Sequence, residues 1–372
     1  MSLCVRRRTG RKERSMQQAE YKQKREQRPK SDKSNKKKMS KGSRVLLTIV
    51  CIVVGIAVLL GITVLILDRI GHNAMTDDGS GMRTPDQAEQ MEAGRVRYNG
   101  QLYQYKNDIT TILFMGVDSR EKAASSGEFG RPNQADVIVL GVLDPVEDRI
   151  VLISVSRDSM CEIDILDAQG VRTGTANAQL ALSYSYGDGA DVSCQLTSDA
   201  VSRLFYDLPI SAYASIYMNG VGRLTDVVGG ITVTPNESFG QFQAGQSVTI
   251  NSANAETYLR YRDHTVEGNN ARMERQKGVI MELARAMLRE IRTNPQSILT
   301  IYQEISNNVT TNVNASSMVY LARVARTMTL SNDVLKVQGE SVLGAEQHAE
   351  FNVDQTALYE LILEIFYEPI DG

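Results

Sequence analysis

Residues 136–155 read DVIVLGVLDPVEDRIVLISV. Two runs rich in Ile, Val and Leu, Asp136–Leu143 and Ile150–Val155, are separated by the polar link DPVEDR. Continuous apolar runs of this length suit strands covered on both faces. A link so short and so rich in turn residues joins them as a hairpin. A third run, Thr111–Gly116 (TILFMG), precedes the pair. A hairpin within such a sheet excludes a purely parallel arrangement. Helical periodicity follows over Ala178–Tyr186, Asp191–Phe205, Asn219–Val228, Ser252–Leu259, Arg272–Ile291, Ser297–Val309, Ala315–Thr327 and Asp354–Tyr367. Further strands are predicted at Tyr213–Met218, Ile231–Thr234 and Leu335–Gly339. Strands interspersed with helices predict an α/β fold: a single α/β/α-layered domain with a central mixed β-sheet, over residues 109–372.

Upstream, the composition changes abruptly. Residues 1–44 hold 17 Lys and Arg against 4 Asp and Glu, whereas the rest of the chain holds 24 against 40. The boundary is Val45–Leu67, VLLTIVCIVVGIAVLLGITVLIL, 23 residues without a charge. At 1.5 Å per residue such a helix exceeds the ~30 Å hydrocarbon core, and a basic flank places the preceding segment in the cytoplasm. The expected organisation is a basic disordered cytoplasmic tail (1–44), one transmembrane helix (45–67), an extracellular stalk (68–108) and an extracellular domain (109–372). Membrane lipid is thus an expected partner. The tail is too poor in apolar residues to fold into a reading head for nucleic acid, which is not expected as a partner. Cys161 and Cys194 lie in the external part, and their spacing matches no metal motif.

The chemistry gathers in charged positions next to these strands. The first strand runs into Gly116-Val117-Asp118-Ser119-Arg120, the second opens at Asp136, and the third runs into Ser156-Arg157-Asp158. Ligands of α/β sheets bind beyond strand ends. If the first two strands are antiparallel neighbours, Asp118 and Asp136 meet at one edge and suit a hard divalent cation, Mg²⁺ or Mn²⁺. Far downstream, Tyr258–Lys277, YLRYRDHTVEGNNARMERQK, brings Arg260, Arg262, Arg272, Arg275 and Gln276 into an otherwise acidic domain. Arginine forks match phosphate oxygens two at a time. An extended segment would put Arg260 and Arg262 on one face. Arg272, Arg275 and Gln276 fall at the expected start of a long helix, where free N–H groups favour anions. Together these residues describe a diphosphate pocket. Only three histidines occur, His72, His264 and His348, and no Ser-His-Asp set, Walker loop or zinc signature is present.

These motifs resemble the LytR-CpsA-Psr (LCP) family of cell-envelope glycopolymer transferases. The resemblance rests on ILFMGVDSR, ADVIVLGVLDPVEDRIVLISVSRDS, NAQLALSYSYG, ISAYASIYMNGVGRLTDVVGGITVTP and RYRDHTVEGNNARMERQK. It implies a single-pass protein of a Gram-positive-type envelope with its active domain outside. Such proteins move a glycopolymer (teichoic acid, capsule or another wall polysaccharide) from a polyprenyl-pyrophosphate carrier to peptidoglycan, forming a phosphodiester with Mg²⁺ near the pyrophosphate. The lipid tail would lie in an apolar groove between sheet and helices. Carried over by motif, Asp118 and Asp136 are the metal ligands. Arg120, Arg157, Arg260, Arg262, Arg272, Arg275 and Gln276 bind pyrophosphate, and Asp118, Arg157, Arg262 and Arg272 form the catalytic set. A polyprenyl-pyrophosphate pyrophosphatase would need the same pocket, and a membrane-anchored transcriptional attenuator is the non-enzymatic alternative.

Overall fold

The computed structural model describes residues 59, 61–92, 94–117, 119, 129–130, 133–261, 266–294, 296–345 and 347–371. Its centre is a six-stranded sheet built from β4 (Thr110–Val117), β5 (Ala135–Asp144), β6 (Arg149–Val155), β9 (Ala212–Tyr217), β12 (Val309–Thr311) and β13 (Thr329–Lys336). The order is β12-β9-β4-β5-β6-β13. β4 pairs antiparallel with β5 and parallel with β9, and β5 pairs antiparallel with β6, which is parallel to β13. The expected hairpin and mixed sheet are therefore both present. Four strands, β4, β6, β9 and β13, deliver their carboxyl ends to one edge.

The two faces are covered differently. Leu113, Met115 and Val117 of β4 join Ile138, Leu140 and Val142 of β5 in the main core. It is closed by α2 (Leu180–Ser185), α3 (Asp191–Leu204) and α9 (Gln355–Phe366). Burial of each such Leu, Ile or Val contributes about 1.5–3 kcal/mol, which makes this face the main source of stability. Leu180, Val201, Leu204 and Phe205 are buried here as ordinary core. Cys161 and Cys194 are separate buried thiols, and burial pushes the Cys161 thiol up to about 12. On the opposite face, Ile280 and Met281 of the long helix α6 (Val266–Thr293) pack over Val139, Leu152 and Val334. Near the amino ends of the parallel strands, Tyr320 and Val324 of α8 (Ala315–Ala325) pack with Ile112, Leu143, Ile150 and Ala212.

The segment 68–108 departs from the expected stalk. Residues 61–75 are helical (α1). The chain then forms β1 (Ala88–Gln90), β2 (Arg95–Tyr98) and β3 (Gln101–Tyr105), a sheet completed by β16 (Tyr367–Ile370) in the order β1-β2-β3-β16. Val96, Tyr98 and Tyr105 enter the main core. The alternation of buried and exposed residues in RVRY is the period-2 signal of a half-buried strand, four residues long and easily read as linker. The other unanticipated strands are also short or polar. They are the β7–β8 hairpin (Met160–Leu166, Arg172–Gln179), β11 (Val248–Ile250), which pairs with β10 (Ile231–Val233), and the β14–β15 hairpin (Gly339–Leu343, Ala349–Val353). The strand expected at Leu335–Gly339 is instead the junction of β13 and β14.

Among the described residues, no helix is long and apolar enough to cross a membrane. The span expected at 45–67 lies mostly outside them, as does the tail.

Candidate functional site at the carboxyl edge of the sheet

Register places the site. In the β5–β6 ladder Ile138 faces Val155, and extending that register past the last pair brings Asp136 opposite Arg157. The two side chains meet: the Arg157 Nη1 donates to Asp136 Oδ1, while its Nη2 donates to Gln134 Oε1 at 2.6 Å. Asp158 lies 3.5 Å from the Arg157 Nε. The backbone behind them is fixed, because the Ala181 N–H at the start of α2 donates to the Arg157 carbonyl at 2.9 Å. Both charged side chains are partly open to solvent, at 32% and 18% exposure, so a ligand can reach them. Val117, the residue before Asp118, pairs with Ala135, the residue before Asp136, across a bulge. Strands β4 and β5 are thus the antiparallel neighbours that the carboxylate pairing requires. Asp118, Arg120 and Arg262 themselves lie outside the described residues.

The arginine-bearing segment comes to the same edge from the other face. Glu274 of α6 bonds the Lys336 Nζ at 3.2 Å. Lys336 ends β13 and pairs with Ser154, three residues before Arg157. This contact places Glu274 of α6 beside the carboxyl edge. Arg272, half-buried, lies one turn or less from Glu274 on the same helix.

Three expectations about this segment change. Arg260 is the last residue of helix α5 (Ala255–Arg260), not part of an extended pair. Its guanidinium meets Glu256 at 3.2 Å, a Glu-to-Arg i,i+4 contact that favours the helix locally. The chain becomes extended only at Tyr261, with φ −57° and ψ 129°. Second, α6 begins at Val266, six residues before Arg272, so Arg272 and Gln276 do not stand at its free N–H groups. Third, Arg275 is not open to a ligand. It is buried, its Nη1 donates to Glu237 Oε1 at 2.5 Å, and its Nη2 donates to the Tyr261 carbonyl. Its guanidinium carbon lies 4.1 Å from the centroid of the Phe239 ring. Gln276 Nε2 donates to the Leu259 carbonyl at 3.3 Å. Arg275 and Gln276 therefore hold the backbone of 259–261, which leads directly into Arg262.

Sequence reasoning missed the residues that support this clamp. Glu237 and Phe239 lie in a loop, and Phe239, Phe242 and Tyr258 stack around it. Burial pushes the Tyr258 hydroxyl above its ordinary value, with the Arg275 charge acting in the opposite direction. The recurrence of aromatic residues at 239, 242, 258 and 261 was the available signal. Gln134 was likewise missed; nothing in the sequence marks it.

Beside the charged edge the sheet face is incompletely covered. Phe114 is 39% exposed in the middle of β4. Its ladder partner on β9 is Ala214, and Gly116 pairs with Ile216; both β9 residues are only half-buried. The space around Phe114 depends on Gly141: a Cβ there would stand 2.7 Å from the Phe114 Cε2. The result is an apolar stripe running up β4 and β9 toward the carboxyl edge.

The oxygen donors gathered here, Asp136, Gln134 and Asp158, are the hard type that Mg²⁺ takes. Among the described residues no group of three or more His, Cys, Asp or Glu could hold a metal by itself. Asp118, the further ligand that the motif implies, follows Val117 in the sequence and lies outside them.

A model of the LytR_cpsA_psr family matches residues 73–363. Two named relatives are both polyisoprenyl-teichoic acid–peptidoglycan teichoic acid transferases TagU. That of Halalkalibacterium halodurans is 30% identical over 46% of this chain and 51% of its own length. That of Enterococcus faecalis is 27% identical over 76% of this chain and 84% of its own length. The chain thus spans about half of the first relative and most of the second. Among solved structures, the crystal structure of Bacillus subtilis TagV is similar with a TM-score of 0.53 at 23% identity, over 70% of this chain and 96% of that one. This likeness concerns the fold.

Proposed function

The chain belongs to the LytR_cpsA_psr family, and we propose on that premise that it transfers a glycopolymer from a polyprenyl-pyrophosphate carrier to peptidoglycan. The observation that carries this reading is the meeting of a charged edge and an apolar stripe. Asp136, on β5, and Arg157, just past β6, stand at the carboxyl edge of the sheet whose neighbouring strand β4 leaves Phe114 open. A polyprenyl pyrophosphate has that division: an apolar tail joined to a compact, strongly charged head.

In the proposed reaction a sugar hydroxyl of peptidoglycan attacks the phosphorus that carries the glycopolymer. A phosphodiester forms, the bridging P–O bond of the pyrophosphate breaks, and polyprenyl monophosphate leaves. The hydroxyl proton passes to a base, for which Asp118 is the proposed acceptor. Arg157, Arg262 and Arg272 supply forks for the phosphate oxygens, where charge develops during transfer. Arg120 and Arg260 would extend that set at its rim. Arg275 and Gln276 position Arg262 rather than touch the phosphates. Asp118 and Asp136 would hold Mg²⁺, which when bound supplies positive charge to the same oxygens. Val45–Leu67 is proposed as the single anchor, so that the domain works outside the membrane of a Gram-positive-type cell.

The test uses the full chain in detergent or vesicles with a lipid-pyrophosphate-linked sugar, peptidoglycan fragments and Mg²⁺. A phosphodiester-linked product that disappears in Arg262→Ala and Arg272→Ala is expected. No product from the wild type, or full activity in both variants, would overturn the reading. Released sugar phosphate without linkage would move it to a pyrophosphatase.

A further inference from the structure

Helix α1 changes character at one point. From Gly61 to Ile66 every residue is exposed, including Ile62, Val64, Leu65 and Ile66 at 47–69%. From Asp68 onward one face is held by the domain, and the residues that hold it, Asp68, Gly71, His72 and Met75, follow the i, i+3, i+4, i+7 spacing of a single helical stripe. Asp68 Oδ1 accepts from the Arg323 Nε at 2.6 Å. Gly71 lies so close to α8 that a Cβ there would meet the Ser316 carbonyl oxygen at 2.2 Å. His72 stacks edge-on against Tyr320, with centroids 5.4 Å apart, and approaches Asp108 at 3.4 Å. Met75 is buried in the cluster that contains Ile112, Leu143 and Tyr320.

Val64 is four residues before Asp68 and so on the same stripe, yet it is 53% exposed. The protein therefore stops covering the helix where the uncharged run Val45–Leu67 stops. Arg69 is exposed at that level, Arg323 meets Asp68 there, and exposed Arg326 follows at the end of α8, the charge sign that anionic headgroups attract.

We propose that α1 leaves the bilayer as a rigid post whose level of exit is set at Leu67–Arg69, and that its docking on α8 fixes the orientation of the whole domain above the lipid. The proposal rests on the membrane-anchored reading above. Its consequence concerns the site. The α1 docking face lies at the amino ends of the parallel strands, since Tyr320 also bonds Thr110, the first residue of β4. The Asp136–Arg157 edge is at the other end. Along β5 that is eight residues, or about 26 Å at ~3.3 Å each. The pyrophosphate would then be handled about one strand length above the headgroups, with the carrier tail running up the Phe114 stripe. The post would set the height at which the acceptor is met.

Strand β13 offers a ruler, with Arg326 just before one end and Lys336 at the other. Single nitroxide labels at Arg326→Cys and Lys336→Cys, placed in the full chain in vesicles with an anionic lipid, are read with a headgroup-chelated nickel lipid. Several-fold stronger relaxation at 326 than at 336 is expected. Gly71→Leu and, more mildly, Asp68→Arg should each collapse that difference while the chain stays membrane-bound. Equal relaxation in the wild type, or an undiminished difference in both variants, would overturn the proposal. Neither readout needs turnover, so an inactive chain can still pass. Chain recovered free of the vesicles would remove the anchored reading as well.

Discussion

Asp136 and Arg157 stand in register across the β5–β6 ladder and close it with an ion pair at the carboxyl edge of the sheet. Both are partly exposed, so the pair itself adds little to stability, within about 1 kcal/mol. Arg157→Ala should leave the thermal midpoint within a few degrees of the wild type and lower the transfer rate by about 10²–10³-fold, the usual loss when one donor to a developing charge is removed. Arg157→Lys should recover only part of the rate, because a single ammonium cannot bridge two oxygens as the fork does. Steady-state phosphodiester formation alongside thermal melts checks both. A variant that melts normally and transfers normally would remove Arg157 from the site.

Arg275 should behave in the opposite way. Its guanidinium is buried between Glu237, the Tyr261 carbonyl and the Phe239 ring. Arg275→Ala removes the donor to the Tyr261 carbonyl and to Glu237 and leaves a cavity where the buried guanidinium lay, so a loss of about 2–3 kcal/mol is expected in denaturant titration. Activity should fall through misplacement of the 259–261 backbone, with a larger change in KM than Arg157→Ala produces. A stable variant with an unchanged KM would show that the clamp is dispensable.

The contrast between these two arginines shows what the sequence could and could not carry. Arg157 was legible because the strand before it is a pure Ile-Val run: the end of the run fixes where the side chain emerges. Arg275 sits in a motif that reads as one block of positive charge, and its fate depends on Glu237, nearly forty positions earlier in an irregular loop. Spacing along a helix does not reveal which arginine a distant carboxylate will capture. Similarly, β4, β5 and β6 announced themselves by composition, whereas β2 and β3 alternate over four or five residues and gain their stability from β16, far away in the chain. The helix start at Val266 was hidden because EGNN, at 267–270, is poor in helix formers.

The apolar stripe gives a prediction about the carrier. Gly141→Ala forces the Phe114 ring, an open and movable group, to turn away from β5. Such a change should cost under about 1.5 kcal/mol of stability. The expected kinetic effect grows with tail length: KM for a long polyprenyl carrier should rise several-fold, and that for a short-chain analogue should hardly change. Phe114→Ala should show the same ordering. A length-independent effect in both variants would place the lipid elsewhere.

Asp164 supplies a pH dependence away from the site. Burial opposes its charged form. That opposition is outweighed by the Arg172 Nε at 2.6 Å and the Arg203 Nη2 at 3.0 Å, and the net effect holds the carboxyl below its ordinary value. A carboxylate lowered in the folded state stabilises fully above its unfolded value, near 3.9, and loses that contribution as pH falls through the folded value. Asp164→Asn should therefore unfold at lower denaturant than the wild type at pH 7 and pH 5, with the gap narrowing at pH 3. A gap that stays constant down to pH 3 would contradict the ion-pair origin.

The Lys106 Nζ donates to the Ile365 carbonyl 259 residues away, next to the pairing of β3 with β16. Closing a loop that long costs only about 1.2 kcal/mol more than closing one a quarter its size. The larger consequence is in time. At about 5–20 residues per second, roughly 10–50 s of synthesis separate β3 from its partner strand. Through that interval one edge of β3 stands open to any other chain. The edge is only five residues long, and so short a strand offers a foreign chain little to pair with until the right partner has been made.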